Sequence, residues 1–505
     1  MGRNFLSLGA SPSDVEPVDV EVSEWLPDIQ ALNSPGMSGA FNVIPNQLGY
    51  VPYKGLVLTP GLTLPAAAKG AVTVNTRTAG AKLYASTKNK LFEGTSVFTE
   101  RYTTGTAVSD DFYWQFVQFG DQLVALRPEL PIQVAQITAG GAFANLGGSP
   151  PRARCAARVG DFLVIGNLDG EPDVGAAQQP ARIRWNGFNQ ISQPWITDPG
   201  TQADYNDMPA EGGAVIAITG REVGTVFQER MISRMTYVGL PSVFTIETVE
   251  EERGAISTNS VVDVGTSIFY ISDEGFFLFN GTNSVPIGSN RVNRWFFERL
   301  NYEKRSLING AVDYENECIR WAFPAGGSSL LSETIIYSYK ENRWSHAGLT
   351  VEYMLPAFSL SPSLDSLSGN LDTDYPISFD TVVTGRPRLG GFNSEHVFGA
   401  FSGIPLAATL ETAEATAPGG KRIFINKVMP LVDITTPGVT VQVAVRDQLM
   451  GGDLLYGTAI SQEVTGECPV LAEGRYARFV INIPAGTLWS AAKGMTIWRK
   501  ILGAF

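Results

Sequence analysis

One pattern recurs along the middle of the chain: a short apolar run, a polar turn and a second short apolar run. Residues 265–288, "GTSIFYISDEGFFLFNGTNSVPIG", show it most clearly. Short apolar runs on either side of a turn are typical of β-hairpins. Alternation along this segment predicts that Phe269 and Phe277 lie on one side of the sheet. It places Tyr270 and Phe279 toward other sheets, and all four are predicted core residues.

The pattern repeats at a spacing that constrains the fold. Six units are visible, at residues 80–95, 116–128, 156–170, 214–229, 265–288 and 311–346. The turns from the second unit onward begin at positions 120, 160, 220, 265 and 315, so by subtraction they are 40, 60, 45 and 50 residues apart. Periods in this range indicate the blades of a β-propeller. A β-sandwich or a β-helix would also contain alternating strands, but neither needs this period.

These observations predict an all-β protein whose main domain is a degenerate β-propeller of about six blades. Residues 66–355 form the predicted propeller, with an insertion at 167–210 rich in Gly, Pro, Asp and Asn. Residues 1–65 carry a proline or glycine every few positions and are predicted to be an extended N-terminal arm. Residues 356–395 are predicted to be a Ser/Asp-rich linker. Alternating strands in residues 396–505 predict a C-terminal β-sandwich-like domain.

The composition agrees with many short strands joined by turns. The chain has 505 residues, including 53 glycines and 30 prolines, more than a helical protein would tolerate. Only residues 289–301 show a clear helical periodicity. The formal net charge is −13 and no polybasic run occurs, which argues against general affinity for nucleic-acid phosphates. No apolar run is long enough to span a bilayer, so no membrane insertion is predicted.

The residues most often used in catalysis are sparse. The two histidines, His346 and His396, have no serine elbow or cysteine partner nearby, and HExxH and P-loop motifs are absent. Cys155, Cys318 and Cys468 lie far apart, form no CxxC pair and are predicted to be buried thiols. The sequence therefore predicts no enzymatic activity and no cofactor.

Two weaker patterns leave alternatives open. A glycosidase needs only two carboxylates flanking a sugar. The candidates are Asp110 with Asp111, Asp204 with Asp207, and Glu250 with Glu251 and Glu252. A calcium loop is suggested by alternate positions in "NLDGEPDVG", namely Asn167, Asp169, Glu171 and Asp173, although the glycine position departs from the usual loop. Trp185, Trp195 and Tyr205 could stack a sugar, but blade packing is the more common role of such residues.

Two longer stretches carry a resemblance. Residues 24–56 carry most of a "LPD…NPG…A.NV.P…GY.P" pattern, at Leu26, Pro27, Asp28, Pro35, Gly36, Asn42, Val43, Pro45, Gly49, Tyr50 and Pro52. Residues 224–288 and the closing "RYARFVINIPAG" continue it. In these stretches the chain resembles the tail nozzle, or tail hub, proteins of short-tailed bacteriophages.

The resemblance implies a structural virion protein located in the tail. Such proteins are similar to one another in forming a ring, usually of six subunits, below the portal and adaptor. They gate and conduct genome DNA without specific binding, contact tail fibres or spikes, and have no catalytic or cofactor site. The alternatives are a carbohydrate-binding or depolymerising propeller and a minor tail protein of a long-tailed phage.

The arm is predicted to order against its own chain or a neighbouring subunit, because it is too short of apolar residues to fold alone. Its large apolar side chains, Trp25, Leu26, Tyr50 and Tyr53, are the predicted interface residues, since aromatic side chains dominate interface energetics. The arm is therefore expected to contribute to a homo-oligomer docked on an adaptor protein.

Overall fold

A computed structural model of the chain describes residues 15–76, 80–171, 177–358, 387–436, 438–449 and 454–502. Nearly all of its regular structure is β-strand, and nearly all strand pairs are antiparallel. The N-terminal arm contains five strands: β1 (Glu16–Glu21), β2 (Gly39–Phe41), β3 (Val43–Asn46), β4 (Gly49–Pro52) and β5 (Val57–Thr63). The arm is thus extended, as predicted, but most of it is paired with other parts of the chain.

The repeated hairpin units each form one four-stranded sheet. The first three sheets are β6 (Ala71–Thr76), β7 (Gly80–Ser86), β8 (Lys90–Gly94) and β9 (Phe98–Thr103); β10 (Gln115–Phe119), β11 (Gln122–Leu126), β12 (Gln133–Gln136) and β13 (Ala144–Asn145); and β14 (Arg152–Val159), β15 (Phe162–Asp169), β16 (Gln179–Trp185) and β17 (Asp204–Asp207). The predicted turns at Gly120 and Gly160 join the first two strands of their sheets, and both glycines have positive φ. Local turn chemistry therefore sets these hairpins.

The next three sheets follow the same order. They are β18 (Val215–Gly220), β19 (Val223–Gln228), β20 (Ile232–Gly239) and β21 (Val243–Glu250); β22 (Val262–Asp263), β23 (Ile268–Ser272), β24 (Gly275–Phe279) and β25 (Ser284–Pro286); and β26 (Asn309–Asp313), β27 (Cys318–Pro324), β28 (Leu331–Ser338) and β29 (Arg343–Ala347). The six predicted units thus correspond to six successive sheets.

A seventh sheet was not predicted from the sequence. It consists of β30 (Tyr353–Phe358), β31 (Pro387–Phe392) and β32 (Val397–Ala400), and its fourth strand is β5 from the arm. The described residues therefore form seven four-stranded units, not six. A pattern of successive hairpins does not predict this sheet, because its fourth strand, β5, precedes the first sheet in the chain whereas the other three strands follow the sixth. Two of the residue ranges predicted as linker and arm, 356–395 and 1–65, in fact supply its strands.

The seven sheets close into a ring. Each neighbouring pair of sheets shares its own hydrophobic cluster, and the cluster between the seventh and first sheets closes the circle. Each cluster can be represented by two residues, one from each of the two sheets that it joins. In ring order from the contact between the seventh and first sheets, the pairs are Ala85 and Phe392, Tyr84 and Leu123, Val124 and Leu163, Val164 and Val226, Phe227 and Tyr270, Phe276 and Trp321, and Ala322 and Met354. A ring of four-stranded sheets is the architecture of a β-propeller.

The predicted insertion at 167–210 is mostly part of the third sheet. It contains the end of β15 and all of β16 and β17, and the long loop 186–203 lies between the last two. The indole of Trp195 holds this loop, since it is fully buried and its Nε1 donates to the carbonyl of Ile191 at 2.9 Å. Strands β16 and β17 were not predicted, because this segment is rich in Gly and Pro and short outer strands carry few apolar residues.

One correction concerns the residues of the fifth sheet. Tyr270 lies opposite Phe277 in the strand register, and both side chains pack toward the fourth sheet together with Phe279. Phe269 lies on the other face with Phe276 and packs toward the sixth sheet. The predicted pairing of Phe269 with Phe277 on one side is wrong, because directly opposed residues of an antiparallel pair point to the same face.

The predicted helix is present as α1 (Asn293–Arg299), which lies between the fifth and sixth sheets. Val292, Phe296 and Leu300 are buried on one side of it. Short 3-10 helices occur at Ala210–Gly212, Thr258–Ser260, Tyr302–Leu307 and Pro418–Gly420.

The C-terminal strands form a sandwich of two sheets. They are β33 (Ala408–Glu411), β34 (Ala415–Thr416), β35 (Ile423–Ile434), β36 (Thr440–Arg446), β37 (Ile460–Ser461), β38 (Ala472–Gly474), β39 (Tyr476–Ile483) and β40 (Trp489–Ile501). One sheet has the order β3-β4-β40-β35-β38, with β1 also paired to β40. The other contains β33, β34, β39, β36 and β37 and is joined through β2 to β29 of the sixth propeller sheet. The arm therefore supplies strands to both layers of the sandwich.

Candidate functional site at the arm junction and the axial cavity

The arm stretch 24–56, which carries the resemblance, lies where the sandwich meets the propeller. Trp25 is buried, its ring stacks on His346 of β29 with centroids 4.6 Å apart, and its Nε1 donates to the carbonyl of Ser38 at 3.1 Å. Trp295 of α1 contacts the same indole edge-on, at a centroid distance of 4.8 Å. One arm tryptophan therefore joins the arm, the helix and the sixth sheet.

Asp28 fixes the arm to the start of α1. Its carboxylate accepts hydrogen bonds from the backbone N–H groups of Arg294, at 2.8 Å, and Trp295, at 2.9 Å. These two donors in the first helical turn have no partner within the helix, so the aspartate acts as a capping group supplied from a distant segment.

Asn42 ties the arm to both domains at once. Its Nδ2 donates to the carbonyl of Ala407 at 2.8 Å, and its Oδ1 accepts from the N–H of Gly348 at 3.0 Å. Its backbone has a φ of 55°, a conformation that asparagine adopts more readily than most residues. The amide thus links the segment before β33 to the segment after β29, which only a side chain with both a donor and an acceptor can do.

Tyr50 and Tyr53 are fully buried anchors. The Tyr50 hydroxyl donates to the carbonyl of Ser23 at 3.0 Å, and burial raises the pKa of this phenol far above its usual value. The Tyr53 ring lies against the guanidinium of Arg320, 4.6 Å from the ring centroid. Arg320 is itself buried and forms an ion pair with buried Asp313.

Three of the four predicted interface residues are therefore internal. Trp25, Tyr50 and Tyr53 are buried within their own chain, and Leu26 is half-buried against Gly36. Of the two partners predicted for the arm, its own chain or a neighbouring subunit, the three aromatic residues contact their own chain, and their side chains have no exposed surface to offer a neighbour. The part of the prediction in which the arm orders against its own chain agrees with the structure.

His346 gives the junction a specific pH dependence. Burial lowers the pKa of His346 to about 3, and the positive charge of Arg299 lowers it in the same direction. Because the folded-state pKa is lower than the unfolded value of about 6.5, the unfolded chain binds a proton at His346 before the folded chain does. The folded state is therefore fully stable with respect to this group above pH 6.5, and it loses stability as the pH falls from there toward 3.

We expect His346 to cost about 2 kcal/mol of stability between pH 7 and pH 5, at 1.36 kcal/mol per pH unit below the unfolded pKa. Urea unfolding of the wild type and of His346→Phe at both pH values measures this. The phenylalanine ring keeps the contacts with Trp25 and Phe41 but does not titrate. Parallel losses of stability in both proteins would show that His346 is not the sensitive group.

The carboxylates proposed as glycosidase candidates do not form one site. Asp110 pairs with Lys88 at 2.8 Å and Asp111 with Lys304 at 2.8 Å, and these hydrogen bonds lower the pKa of each carboxyl. Asp204 accepts from the Thr197 hydroxyl. The remaining pairs are Asp207 with Arg182 and Glu250 with Arg253. Cation pairing favours the ionised form, whereas a general acid needs a raised pKa.

The predicted calcium loop is not assembled by its described members. Asn167 donates to the carbonyl of Val215, Asp169 pairs with Arg152 at 2.5 Å, and Glu171 is buried in an ion pair with Arg184 at 2.8 Å. Asp173 lies outside the described residues. Within the described ranges, no group of three or more His, Cys, Asp or Glu side chains is placed to hold a metal ion.

The remaining candidate residues, which are the aromatic residues of the 167–210 segment, His396 and the cysteines, are buried or make contacts within the chain. Trp185 and Trp195 are buried, and Tyr205 lies under Arg182, 4.0 Å from its ring centroid. His396 contacts Glu352 through Nδ1 at 2.6 Å. All three cysteines are buried and free, and burial raises their pKa values to about 12 for Cys155 and Cys318 and about 11 for Cys468.

A polar cavity of about 470 Å³ opens at one end of the propeller axis. It lies between the loops that precede the innermost strands and the 3-10 helix Tyr302–Leu307, and sheets two to five contribute to its wall. Its charged lining consists of Asp111, Arg154, Glu229, Arg230, Asp273, Glu303 and Arg305. The sequence offered no signal for these arginines as a group, because they come from three separated segments without a motif.

The part of the chain that the structure describes contains no helix of the length and apolarity needed to cross a membrane.

Comparisons with known proteins identify no family. No family model matches the chain, and no curated protein matches it. Solved structures similar to it include a chain of the mitotic checkpoint complex (TM-score 0.38, 9% identity, covering 70% of this chain and 96% of that chain). The WD40 repeats of RRP9 are similar with a TM-score of 0.37 and 8% identity, covering 61% and 88% of the two chains.

BamB from Moraxella catarrhalis is a further similar structure, with a TM-score of 0.36 and 10% identity, covering 76% of this chain and 97% of that chain. All three TM-scores are below 0.5, so the propeller assignment rests on the sheet topology and the closed set of inter-sheet clusters.

Proposed function

We propose that the chain is a structural virion protein that forms the tail nozzle ring below the portal and adaptor of a short-tailed bacteriophage, and gates and conducts genome DNA. The observation that carries the proposal is the role of the resemblance-bearing arm. Trp25, Asp28, Asn42 and Tyr50 each join segments from different parts of the fold. A subunit that must hold its place in a ring needs this fixed geometry between its domains.

An exposed apolar surface supports association with a second copy of the chain. The tip of the β20–β21 hairpin exposes Tyr237, Val238 and Leu240, and the neighbouring loop exposes Phe188. The Phe162 ring bridges the two, with centroids 5.6 Å from both Phe188 and Tyr237. Contiguous exposed apolar side chains are characteristic of interaction sites. This hairpin surface replaces the buried arm aromatics as the proposed subunit contact.

The charge balance is compatible with a DNA conduit. At a net charge of −13, the chain repels the phosphate backbone and releases few counterions on contact. A channel through which DNA slides benefits from weak, non-specific repulsion. The proposed partners are further copies of the chain, an adaptor and tail fibres or spikes, and the proposed role requires neither catalysis nor a cofactor.

We expect a ring, six-membered by the resemblance, that forms or persists when docked on an adaptor. Val238→Asp should raise the ring dissociation constant at least tenfold, because an unpaired charge would be buried at the contact. The side chain is 54% exposed, so the isolated chain should still fold. Native mass spectrometry on the adaptor and electron microscopy of particles carrying the variant measure assembly.

Val464→Asp is the matched control, since this valine is 96% exposed and lies on the sandwich. Equal assembly of both variants and the wild type would contradict the hairpin contact. Particle images that place the protein away from the portal vertex would contradict the nozzle role and favour a minor tail protein. Release of reducing sugar from host polysaccharide would favour the depolymerising alternative.

A further inference from the structure

The axial cavity is lined by three arginines that form no salt bridge with a described residue. Most described arginines form a salt bridge, but Arg154, Arg230 and Arg305 form none with any described residue. These three line one cavity although they come from β14, the turn after β19 and the 3-10 helix Tyr302–Leu307. Unpaired guanidinium groups that converge on one concave surface are suited to bind an oxyanion.

Two of the three arginines, Arg154 and Arg305, lie against aromatic rings. The Arg154 guanidinium lies over the Phe112 ring at 5.5 Å, and that of Arg305 lies over the Tyr302 ring at 4.6 Å while Nη1 donates to the Tyr302 carbonyl at 3.3 Å. Burial lowers the pKa of Arg154 and the positive charge of Arg305 lowers it further, whereas the nearby carboxylate of Glu229 raises it. Arg154 and Arg305 are therefore close enough to repel each other, Glu229 offsets part of that repulsion, and a bound anion would relieve more of it.

The carboxylates in the same wall restrict the ligand further. Asp111 accepts a hydrogen bond from the Lys304 ammonium group, and Asp273 accepts one from the Tyr302 hydroxyl at 2.6 Å. Glu229 and Glu303 have no salt bridge within the described part of the chain, so their oxygens can accept hydrogen bonds from a ligand. These negative charges disfavour a phosphate dianion, whereas a singly charged carboxylate with several hydroxyl groups satisfies both kinds of wall residue.

We propose that this cavity binds the carboxylate of a sugar acid, with Arg154 and Arg305 contacting the carboxylate and Glu229 accepting from its hydroxyl groups. The volume of about 470 Å³ falls within the range of small-ligand pockets, about 300–1,000 Å³. The ligand could be a free hexuronate or a residue of an acidic polysaccharide. The inference does not depend on the proposed role in the tail.

Isothermal titration calorimetry of the full chain with sodium glucuronate tests the site. Glucose lacks the anion and glucose 6-phosphate carries the larger charge, so both should bind at least tenfold more weakly. Arg154→Gln and Arg305→Gln should each weaken glucuronate binding about tenfold or more, and Arg154→Lys should weaken it less. Arg343→Gln, at an arginine outside the cavity that likewise forms no salt bridge with a described residue, should leave the affinity unchanged.

Circular dichroism spectra and melting curves establish that the variants fold. A trigalacturonate that binds more tightly than galacturonate would identify a polysaccharide as the source, and equal binding of the two would identify the free sugar acid. Absence of saturable glucuronate binding, equal binding of glucose, stronger binding of glucose 6-phosphate, or unchanged affinity in folded Arg154→Gln would each overturn the proposal. These results would leave the particle-imaging test of the nozzle role unaffected.

Discussion

Replacing Phe276 by alanine is expected to lower the free energy of unfolding by about 3–5 kcal/mol. The Phe276 side chain is fully buried, and its ring lies 4.8 Å from that of Phe296, 4.9 Å from that of Trp344 and 5.2 Å from that of Trp321. It thus packs the fifth sheet, α1 and the sixth sheet together. Three large rigid rings cannot collapse fully into the space left behind, so a cavity term adds to the lost burial. Urea unfolding measures the change.

Two further alanine variants make this result specific. Phe188→Ala is the control, because this ring is 46% exposed and loses less burial, so its loss should cost clearly less than that of Phe276. Phe277→Ala should also cost about 3–5 kcal/mol, but through the opposite face, where Phe277 stacks on Tyr270 at 5.6 Å. If Phe276→Ala were no more damaging than Phe188→Ala, the register of β23 and β24 would be wrong.

Asp313→Asn is expected to destabilise the chain by about 3–5 kcal/mol, because it leaves the buried Arg320 guanidinium without its counter-charge. Asp313 and Arg320 are each about 1% exposed, and Asp313 also accepts from the Asn316 amide at 2.8 Å. The guanidinium lies between the rings of Tyr53 and Phe401. The pair therefore couples the sixth sheet to the arm and to the segment after the seventh sheet.

A second variant separates the ion pair from a general packing effect. Asp313→Asn combined with Arg320→Met removes both charges, so it should be more stable than Asp313→Asn alone. Glu317→Gln serves as the control, since Glu317 pairs with Lys340 at 2.5 Å in an exposed position and its loss should cost less than about 1 kcal/mol. Equal stability of the single and double variants would refute the unpaired-charge explanation.

The sequence by itself determined the local elements of this protein. The hairpin turns at Gly120, Gly160 and Gly265 and the helix at 293–299 follow from residues that are neighbours in the chain. Glycine permits the positive φ that these turns require, and the spacing of apolar residues distinguishes strand from helix. The propeller class and its first six sheets could therefore be predicted from periodicity alone.

Only the tertiary structure decided how distant segments complete one another. β5 closes the seventh sheet by pairing with β32, more than 330 positions later in the chain, and Asn42 bonds to Ala407 at a separation of 365. No local pattern records such pairings, because either strand is an ordinary alternating segment when considered alone. The burial of Trp25, Tyr50 and Tyr53 follows from the same long-range pairing. Side-chain chemistry did not predict this burial, because aromatic residues are equally suited to a contact within the chain and to one between subunits.

The convergence of the cavity arginines was likewise decided by the tertiary structure and not by the local sequence. Arg154 alternates with apolar residues like any outward-facing strand residue, Arg230 lies in the turn after β19, and Arg305 lies in the 3-10 helix Tyr302–Leu307. Their convergence requires the ring to be closed, since the curvature of successive sheets brings the loops before the inner strands to a common axis. Strand propensity and turn chemistry act over a few residues, whereas the position of a charge relative to another depends on every sheet between them.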